Sequence, residues 1–338
     1  MKGFLKPTAA LACLVALATA GCSAETAPTT SDPSQTPSAT PSATAPSTAS
    51  YALSYAPYVS ATTASATDSA GSPDAYNLAF VLSDGSGCTP EWNGTQALTD
   101  ATVTSRIARL TESGTPVRVS FGGASGKELA AVCGSAAELA EAYGAALDAA
   151  GATRADFDIE GDELTDADSV AVRSEAIALL QEERPELEVS FTLPVMPSGL
   201  DADSLALLAS ANEHNAQVST VNLMTMNYGG SYTGDMGGYA VRTARAAHTQ
   251  LADVFGLSSA AAWKGMALTS MIGVNDVDGE TFTLADAAQV RAFAERQGLA
   301  WVSMWATFRD RACGEGDTAS ECSGVAQADG AFGAAFAG

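Results

Sequence analysis

Residues 153–161 read TRADFDIEG, and this stretch decides the fold class. Its acids, Asp156, Asp158 and Glu160, alternate with apolar residues, and successive side chains of a β-strand point to opposite faces. The three carboxylates therefore share one face of a predicted strand. The apolar residues between them require that the other face be buried. A sheet covered by helices on its outer side satisfies this requirement, with Glu160 nearest the rim where the strand ends.

Short apolar runs of strand length alternate with longer amphipathic stretches over the rest of the chain. The predicted strands are Ala52–Ser54, Tyr76–Leu82, Val117–Phe121, Ala155–Ile159, Glu188–Leu193, Thr220–Met226, Gly265–Ile272 and Ala300–Trp305. The predicted helices are Ala136–Ala150, Ser169–Glu182, Asp201–Ala211 and Leu284–Gln297. This alternation predicts an α/β fold, and specifically an eightfold (β/α) barrel, a TIM barrel, without a large inserted domain.

A doubly wound open sheet is the alternative architecture. Such sheets normally carry a glycine-rich phosphate loop after a strand. Residues 122–128 read GGASGKE, which has the wrong spacing, and Glu128 stands where the hydroxyl residue that holds magnesium would be. The barrel is therefore favoured.

The charge balance excludes some partners. The chain has 16 basic and 39 acidic residues, a formal net charge of −23. Such a chain repels nucleic acid and anionic membrane surfaces, because both are negatively charged. A neutral polysaccharide meets no such repulsion.

The N-terminal residues predict export. Residues 1–22 resemble a signal peptide, since a short positive region precedes an apolar run, residues 11–18, that is too short to span a bilayer. Small residues precede Cys22, as at a bacterial lipoprotein cleavage site, which makes Cys22 the expected lipidation site. Cleavage near Ala20 without lipidation is the alternative.

Residues 23–50 are almost entirely Ser, Thr, Pro and Ala and predict a disordered linker. The folded domain is expected over residues 51–338. The protein is thus expected to be secreted, as a cell-surface lipoprotein or extracellular, and monomeric. Its membrane contact would be limited to a lipid anchor at Cys22.

Four cysteines lie in the predicted domain, and an exported protein can keep disulfides. Four cysteines allow three pairings. We predict Cys313–Cys322, because these residues close one short loop, and Cys88–Cys133. Free buried thiols are the alternative. A zinc site is not expected, because the chain has no CxxC pair and only two histidines.

Three carboxylates on one strand face cannot all ionise without cost. Repulsion and burial raise the pKa of at least one of them, and the titration belongs to the cluster. A raised carboxyl pKa suits a general acid near neutral pH. Two alternatives are a site for a hard cation, which prefers oxygen ligands, and a solvated strand edge. The apolar residues of the opposite face argue against the second.

Residues 153–160 also resemble the DxxDxDxE signature of glycoside hydrolase family 18 chitinases, with Thr153 in place of the first acid. The likeness covers nearly all of residues 51–312. It extends to an SxGG-like segment at residues 120–123 and an MxxD-type strand at residues 221–229. It also includes a strand end at residues 271–276 and a tryptophan near the end of the last strand, Trp305.

The resemblance implies a chitinase that hydrolyses β-1,4-linked N-acetylglucosamine polymers by a substrate-assisted retaining mechanism, without cofactor or metal. Glu160 would protonate the leaving oxygen and then activate water. Asp158 would orient the acetamido N–H and stabilise the oxazolinium intermediate, and Asp156 would exchange a hydrogen bond with Asp158. Trp305 would form the floor under the reacting sugar, a core tryptophan being the alternative. The absence of a large insertion before the last strand predicts an open groove and endo action.

The MxxD-type strand departs from the family pattern. Asn227 stands where family members usually have Asp, and Met226 stands where they often have Tyr. Tyr228 is a candidate to supply the missing hydroxyl. Met224, Asn227 and Tyr228 are accordingly predicted to contact the substrate, chitin or a chitooligosaccharide, with an altered acidic pH profile.

Two other functions remain open at this point. One is an endo-β-N-acetylglucosaminidase acting on glycoprotein glycans, since that activity shares the acidic signature. The other is a non-catalytic chitin-binding barrel, against which the intact Glu160 argues.

Overall fold

A parallel sheet of short apolar strands forms the centre of residues 52–338, the part of the chain that the computed structural model describes. The predicted signal peptide, the linker and Cys22 lie outside the described residues. Among residues 52–338, no helix is long and apolar enough to cross a membrane.

The strands are β1 Ser54–Tyr55, β2 Tyr58–Ser60, β3 Tyr76–Ser83, β4 Pro90–Trp92, β5 Gln96–Ala97, β6 Val117–Gly122, β7 Arg154–Asp158, β8 Glu188–Pro194, β9 Thr220–Met224, β10 Met266–Met271, β11 Gly273–Val274, β12 Thr281–Phe282 and β13 Trp301–Trp305. The α-helices are α1 Ala101–Thr111, α2 Ala136–Ala150, α3 Asp162–Thr165, α4 Ala167–Glu183, α5 Ala202–Glu213, α6 Met236–Phe255, α7 Ser259–Lys264, α8 Leu284–Gln297 and α9 Ala331–Ala337.

The main sheet runs in the order β1-β13-β10-β9-β8-β7-β6-β3-β4-β5, and β2 also pairs with β3. All pairings from β3 through β6 to β13 are parallel, as are those of β1 with β13 and β2 with β3. A short antiparallel hairpin, β4 and β5, extends β3. The predicted α/β class with a central parallel sheet is confirmed.

The predicted first strand was misplaced. Pairing begins at Ser54 rather than ending there, and it continues at Tyr58–Ser60 after an interruption at Ala56 and Pro57. Proline has no N–H to donate to a strand ladder, so the strand is broken where Pro57 stands. The apolar run Ala52–Ser54 was therefore a poor guide to the paired residues.

Helix ends follow local signals where these are strong. The Ser135 side chain accepts the Glu138 N–H at the start of α2, and Gly151, with φ +60°, ends it. Thr283 and Asp286 form a capping box at the start of α8. Both helices have the predicted bounds. Helix α6, by contrast, was not predicted.

The outer face of β6–β8 is packed with aromatic rings under α2. Phe157 of the acidic strand stacks on Phe121 at 5.3 Å and meets Phe191 at 5.7 Å, measured between ring centroids. Tyr143 of α2 closes on Phe157 at 4.9 Å. All four rings are fully buried. The apolar residues that alternate with the acids in residues 153–161 are therefore buried, as the sequence predicted.

Both predicted disulfides are present. Cys88 bonds to Cys133, and Cys313 bonds to Cys322. The first joins the segment after β3 to the segment before α2, and the second closes a loop after β13.

Candidate active site

The acids of β7 lie on the face of the sheet opposite the helix-covered aromatic face. They are in register with polar residues of the neighbouring strands. Asp156 pairs with Ser120 of β6 and Ser190 of β8, and Asp158 pairs with Gly122 and Thr192. Both carboxylates are buried, Asp156 being 1% exposed and Asp158 5% exposed. Glu160 follows two residues after the strand and is only partly buried. The predicted arrangement of three acids rising toward the rim is therefore present.

Asp156 is held by four hydroxyl groups. Its Oδ2 accepts hydrogen bonds from Tyr58 Oη at 2.9 Å and Ser120 Oγ at 2.7 Å. Its Oδ1 accepts from Ser190 Oγ at 2.7 Å and Thr192 Oγ1 at 2.8 Å. Such a set of donors stabilises a charged carboxylate in a buried position.

A chain of hydrogen bonds extends this polar layer across the next strands. Thr269 Oγ1 donates to Asn222 Oδ1 at 2.9 Å, and Asn222 Nδ2 donates to Thr192 Oγ1 at 2.9 Å. The layer ends at Asp156. It fixes the side chains immediately below Asp158, since each member has a partner on both sides.

Asp158 lies above this layer in different surroundings. Its Oδ1 is buried without a hydrogen-bond partner. Burial first, and then the charges of Glu160 and Asp156, raise the pKa of the Asp158 carboxyl well above its usual range. Burial also raises the pKa of the neighbouring Glu160 carboxyl. Both carboxyls therefore favour the protonated form more than an exposed carboxyl does. The expected hydrogen bond between Asp156 and Asp158 is not among the described contacts of Asp156.

The backbone around Asp158 is unusually close-packed. Gly123 N–H donates to the Asp158 carbonyl at 2.8 Å. Gly122 has φ +96°, and a Cβ there would collide with the same carbonyl oxygen. Only glycine fits at position 122 without moving the acidic strand, so the SFGG segment serves the packing of β6 against β7.

An open pocket of about 510 Å³ lies over Asp158 and Glu160. Its other lining residues are Tyr58, Phe80, Ala124, Thr192, Met224, Met226, Asn227, Thr269, Met271, Asp276 and Trp305. Trp305 is partly exposed and stacks on Phe80, with ring centroids 5.6 Å apart and an interplanar angle of 22°. Trp305 thus borders the pocket, and its role as a floor under a bound sugar stays a prediction.

Two further pockets adjoin this one from different sides. One, of about 970 Å³, shares Phe80 and Trp305 with it and continues along Phe308. The other, of about 710 Å³, shares Glu160, Met224, Met226 and Asn227 with it and continues to Asp201. The catalytic pocket is thus the middle of a longer depression in the surface.

The predicted contacts on the MxxD-type strand divide into two groups. Met224 and Asn227 line the pocket. Tyr228 does not line it, because its side chain points into the core and its hydroxyl accepts a hydrogen bond from Thr243 of α6 at 3.2 Å. Burial raises the pKa of Tyr228. The structure thus separates Tyr228 from the residues with which it was predicted to act.

Several lining residues were missed in the sequence. Tyr58 was overlooked because the first strand was misplaced. Thr192 lies in a run that reads as a plain buried strand. Asp276 was noticed only as a polar strand end, yet it lies beside Asn227, whose Oδ1 accepts its N–H at 3.0 Å. Among residues 52–338, no three His, Cys, Asp or Glu side chains are grouped to hold a metal ion.

Comparison with known proteins adds a family context. No protein-family model matches the chain. Over 273 residues it is 33% identical to a probable bifunctional chitinase/lysozyme of Escherichia coli (strain K12), covering 75% of this chain and 30% of that protein. It is 31% identical to endochitinase 11 of Metarhizium anisopliae, covering 70% of this chain and 47% of that one. The chain therefore spans less than half the length of either relative.

Among solved structures, the catalytic domain of a hyperthermophilic chitinase from Pyrococcus furiosus is 29% identical, with a TM-score of 0.74. The alignment covers 84% of this chain and 96% of that domain. Catalytic-site mutants of active domain 2 of a Pyrococcus furiosus chitinase, complexed with chito-oligosaccharides, also match with a TM-score of 0.74 and 29% identity, over 85% of this chain and 94% of that one. The comparisons point to a glycoside hydrolase related to chitinases.

Proposed function

We propose that the chain hydrolyses β-1,4-linked N-acetylglucosamine polymers, chitin and chitooligosaccharides, by a substrate-assisted retaining mechanism. The observation that carries this proposal is the Asp158–Glu160 pair, two neighbouring carboxyls with raised pKa values that line an open pocket together with the partly exposed Trp305. The relatives described as chitinases support the same substrate class.

The first step breaks the glycosidic bond. Glu160 gives its proton to the leaving oxygen, and the carbonyl oxygen of the substrate's 2-acetamido group attacks the anomeric carbon. An oxazolinium ion forms, and Asp158 stabilises it by accepting the acetamido N–H and by its nearby charge. The raised pKa values of both carboxyls favour their protonated forms, which is what a general acid needs.

The second step restores the enzyme. The Glu160 carboxylate takes a proton from water, the water oxygen attacks the anomeric carbon, and the acetamido group is released with the configuration retained. Asp156, held by its four hydroxyl donors, lies beneath Asp158. Its carboxylate contributes to the raised pKa of Asp158 and stabilises the positive intermediate.

We propose endo action, because the pocket continues into neighbouring depressions on either side. Glu160 borders the arm that reaches Asp201, so this arm takes the leaving-group side of the sugar chain. The arm along Phe308 takes the retained side. A groove open at both ends accepts an internal segment of a polymer.

We also propose that the parallel sheet closes as an eightfold barrel. Segments β1 and β2, separated by Ala56 and Pro57, would act as one interrupted strand between β13 and β3. Two backbone hydrogen bonds across the interruption support this, from Ala56 N–H to Val302 at 2.9 Å and from Asn77 N–H to Pro57 at 2.9 Å. The acids would then lie at the carboxyl end of a barrel strand, where barrel enzymes have their active sites.

The location proposed for the protein rests on sequence. We propose export, with a lipid anchor at Cys22 and the Ser/Thr/Pro/Ala-rich residues 23–50 as a tether, because residues 1–22 have the pattern of a lipoprotein signal. Mass spectrometry of the mature N-terminus tests this, since an unmodified N-terminus near Ala20 would contradict lipidation.

The test of the reaction is digestion of chitotetraose beside its fully N-deacetylated counterpart, followed by chromatography of the products. We expect cleavage of chitotetraose alone, because the deacetylated sugar has no acetamido oxygen to attack. Comparable cleavage of both sugars would overturn the mechanism. Binding of chitotetraose without cleavage would support a non-catalytic barrel, and glycan release from a glycoprotein without chitotetraose cleavage would support a glycan-specific enzyme.

A further inference from the structure

The polar wall of the catalytic pocket is built from two loops, one after β9 and one after β10. Asn227 comes from the first loop and Asp276 from the second, and both line the pocket. They hold each other: Asp276 N–H donates to Asn227 Oδ1 at 3.0 Å, and Asn227 Nδ2 lies 3.4 Å from Asp276 Oδ2. The two loops are otherwise 49 residues apart in sequence.

Asn227 has a backbone conformation that needs support. Its φ is +52°, in the left-handed region that side chains other than glycine rarely adopt. Asparagine adopts this region more readily than most residues, and contacts with its surroundings hold it there. The Asp276 N–H holds its side chain, and further support comes from contacts of the backbone that follows it.

Glu280 supplies that support. It is fully buried, and its Oε1 accepts the Gly229 N–H at 2.7 Å. The N–H groups of Asn227 and Tyr228 face the same carboxylate. Three successive backbone donors of the first loop are therefore directed at one side chain, which fixes the chain direction at Asn227 and just after it.

The backbone of Glu280 also closes the second loop. Its carbonyl accepts the Asn275 N–H at 3.1 Å, and its N–H donates to the Val277 carbonyl at 3.1 Å. Asp276 lies inside this turn. Glu280 is thus the point at which both loops of the pocket wall are fastened.

This arrangement is costly for stability. Glu280 Oε2 is buried without a hydrogen-bond partner, and no arginine or lysine of residues 52–338 forms an ion pair with it. Burial raises the pKa of its carboxyl. A buried carboxylate without a cation weakens the fold. The hydrogen bonds by which Glu280 holds the two loops of the pocket wall are the benefit that offsets this loss of stability.

We infer that Glu280 is a positioning residue that holds Asn227 and Asp276 in the orientation required by the reacting sugar. This inference rests on the proposed function and adds to it a residue that does not line the pocket. Because displacement of a positioned group by about 1 Å can reduce the rate about 100-fold, disturbing Glu280 should lower kcat more than it weakens sugar binding.

The test compares Glu280→Gln with Asp310→Asn. Asp310 is a matched control, because it is also a fully buried carboxylate that accepts two backbone N–H groups, those of Phe332 at 3.0 Å and Gly333 at 2.8 Å, and it does not line the pocket. Glu280→Asp is a second variant that keeps the charge but withdraws it by one methylene.

Three quantities are measured for each variant: the melting temperature, kcat and KM with chitotetraose, and amide hydrogen exchange of the peptide containing residues 227–229. The melting temperature shows whether each variant is folded, so that a fall in kcat is not mistaken for a loss of folded protein. Only Glu280→Gln should speed exchange at residues 227–229 and reduce kcat about 10- to 100-fold with KM within about threefold, and Glu280→Asp should fall between it and the wild type.

The inference is overturned if Glu280→Gln leaves kcat and exchange at residues 227–229 unchanged, or if Asp310→Asn changes kcat as much. Failure of the proposed function looks different, since the wild type itself would then not cleave chitotetraose. Hydrogen exchange would in that case still decide whether Glu280 holds the loop.

Discussion

The lower and upper levels of strand β7 carry the same kind of side chain in opposite surroundings. At the lower level, Asp156 accepts hydrogen bonds from four hydroxyl groups. At the upper level, Asp158 has a buried oxygen without a partner, and burial and the charge of Glu160 raise its pKa. Only one residue, Phe157, separates them along the strand.

The difference shows how one strand combines stability with reactivity. A satisfied carboxylate stabilises the fold, whereas a buried and unsatisfied one destabilises its charged form and raises its pKa. In the proposed mechanism, the substrate's acetamido N–H is the partner that Asp158 lacks. The lower level therefore fixes the geometry, and the upper level keeps a free hydrogen-bonding position for the sugar.

The largest expected effect comes from removing the acid of the upper level. Glu160→Gln keeps the shape of the side chain but cannot donate its proton to the leaving oxygen, so kcat/KM with chitotetraose should fall about 100- to 10,000-fold. Circular dichroism should show an unchanged fold. Activity within threefold of the wild type would remove Glu160 from the mechanism.

Asp158→Asn should separate activity from stability. We expect activity to fall about 100-fold, because the oxazolinium ion loses a charged partner, and we expect the melting temperature at pH 7 to rise. The folded-state pKa of Asp158 is raised, so its stabilising contribution is present below the unfolded-state pKa and is lost as pH rises through the folded-state pKa.

The pH dependence of that variant is the sharper measurement. The asparagine has no such titration, so the stability advantage of Asp158→Asn over the wild type should be small in acid and grow toward neutral pH. Thermal melts between acid and neutral pH check this. An advantage that shrinks with rising pH would contradict the assigned direction of the pKa shift.

Asp156→Asn should have the reverse stability effect. An amide offers one acceptor oxygen in place of two, so at least one of the four hydroxyl donors loses its partner, at a cost of about 1–3 kcal/mol. We expect a lower melting temperature and a smaller loss of activity than for Asp158→Asn. If Asp156→Asn were more stable than the wild type, the two levels of β7 would not differ as described.

The smallest expected effect is that of Ser190→Ala. It removes one of the four donors to Asp156 and should cost about 1 kcal/mol with activity within threefold. Ser204→Ala is the control, because the Ser204 hydroxyl is buried without a partner and its removal should cost nothing. Equal losses in the two variants would mean that the hydroxyl layer does not support Asp156.

The acids of β7 could be predicted from the sequence, whereas the contacts of the pocket wall could not. The alternation of acids and apolar residues in β7 is local, so strand, face and order of the acids could be read directly. Helices α2 and α8 were predicted to their ends because capping residues mark them. The disulfides followed from loop length and from the small number of cysteines.

The remainder depends on contacts that no local pattern encodes. Helix α6 begins with Met236 followed by two glycines, which conceal its start. Glu280 lies in the polar segment 275–281, which reads as a solvated loop, yet it is fully buried against a loop 51 residues away. Tyr228 looked like a substrate contact because it follows Asn227, but the positive φ of Asn227 places the next side chain in the core.

The most direct test of the account is proton NMR of the newly formed reducing end during chitotetraose cleavage. Attack by the acetamido oxygen followed by water inverts the anomeric carbon twice, so the account predicts that the β-anomer appears first and converts to α only by mutarotation. Initial appearance of the α-anomer would contradict it, because a single inversion requires an opposing base and leaves no role for the pair formed by Asp158 and Glu160.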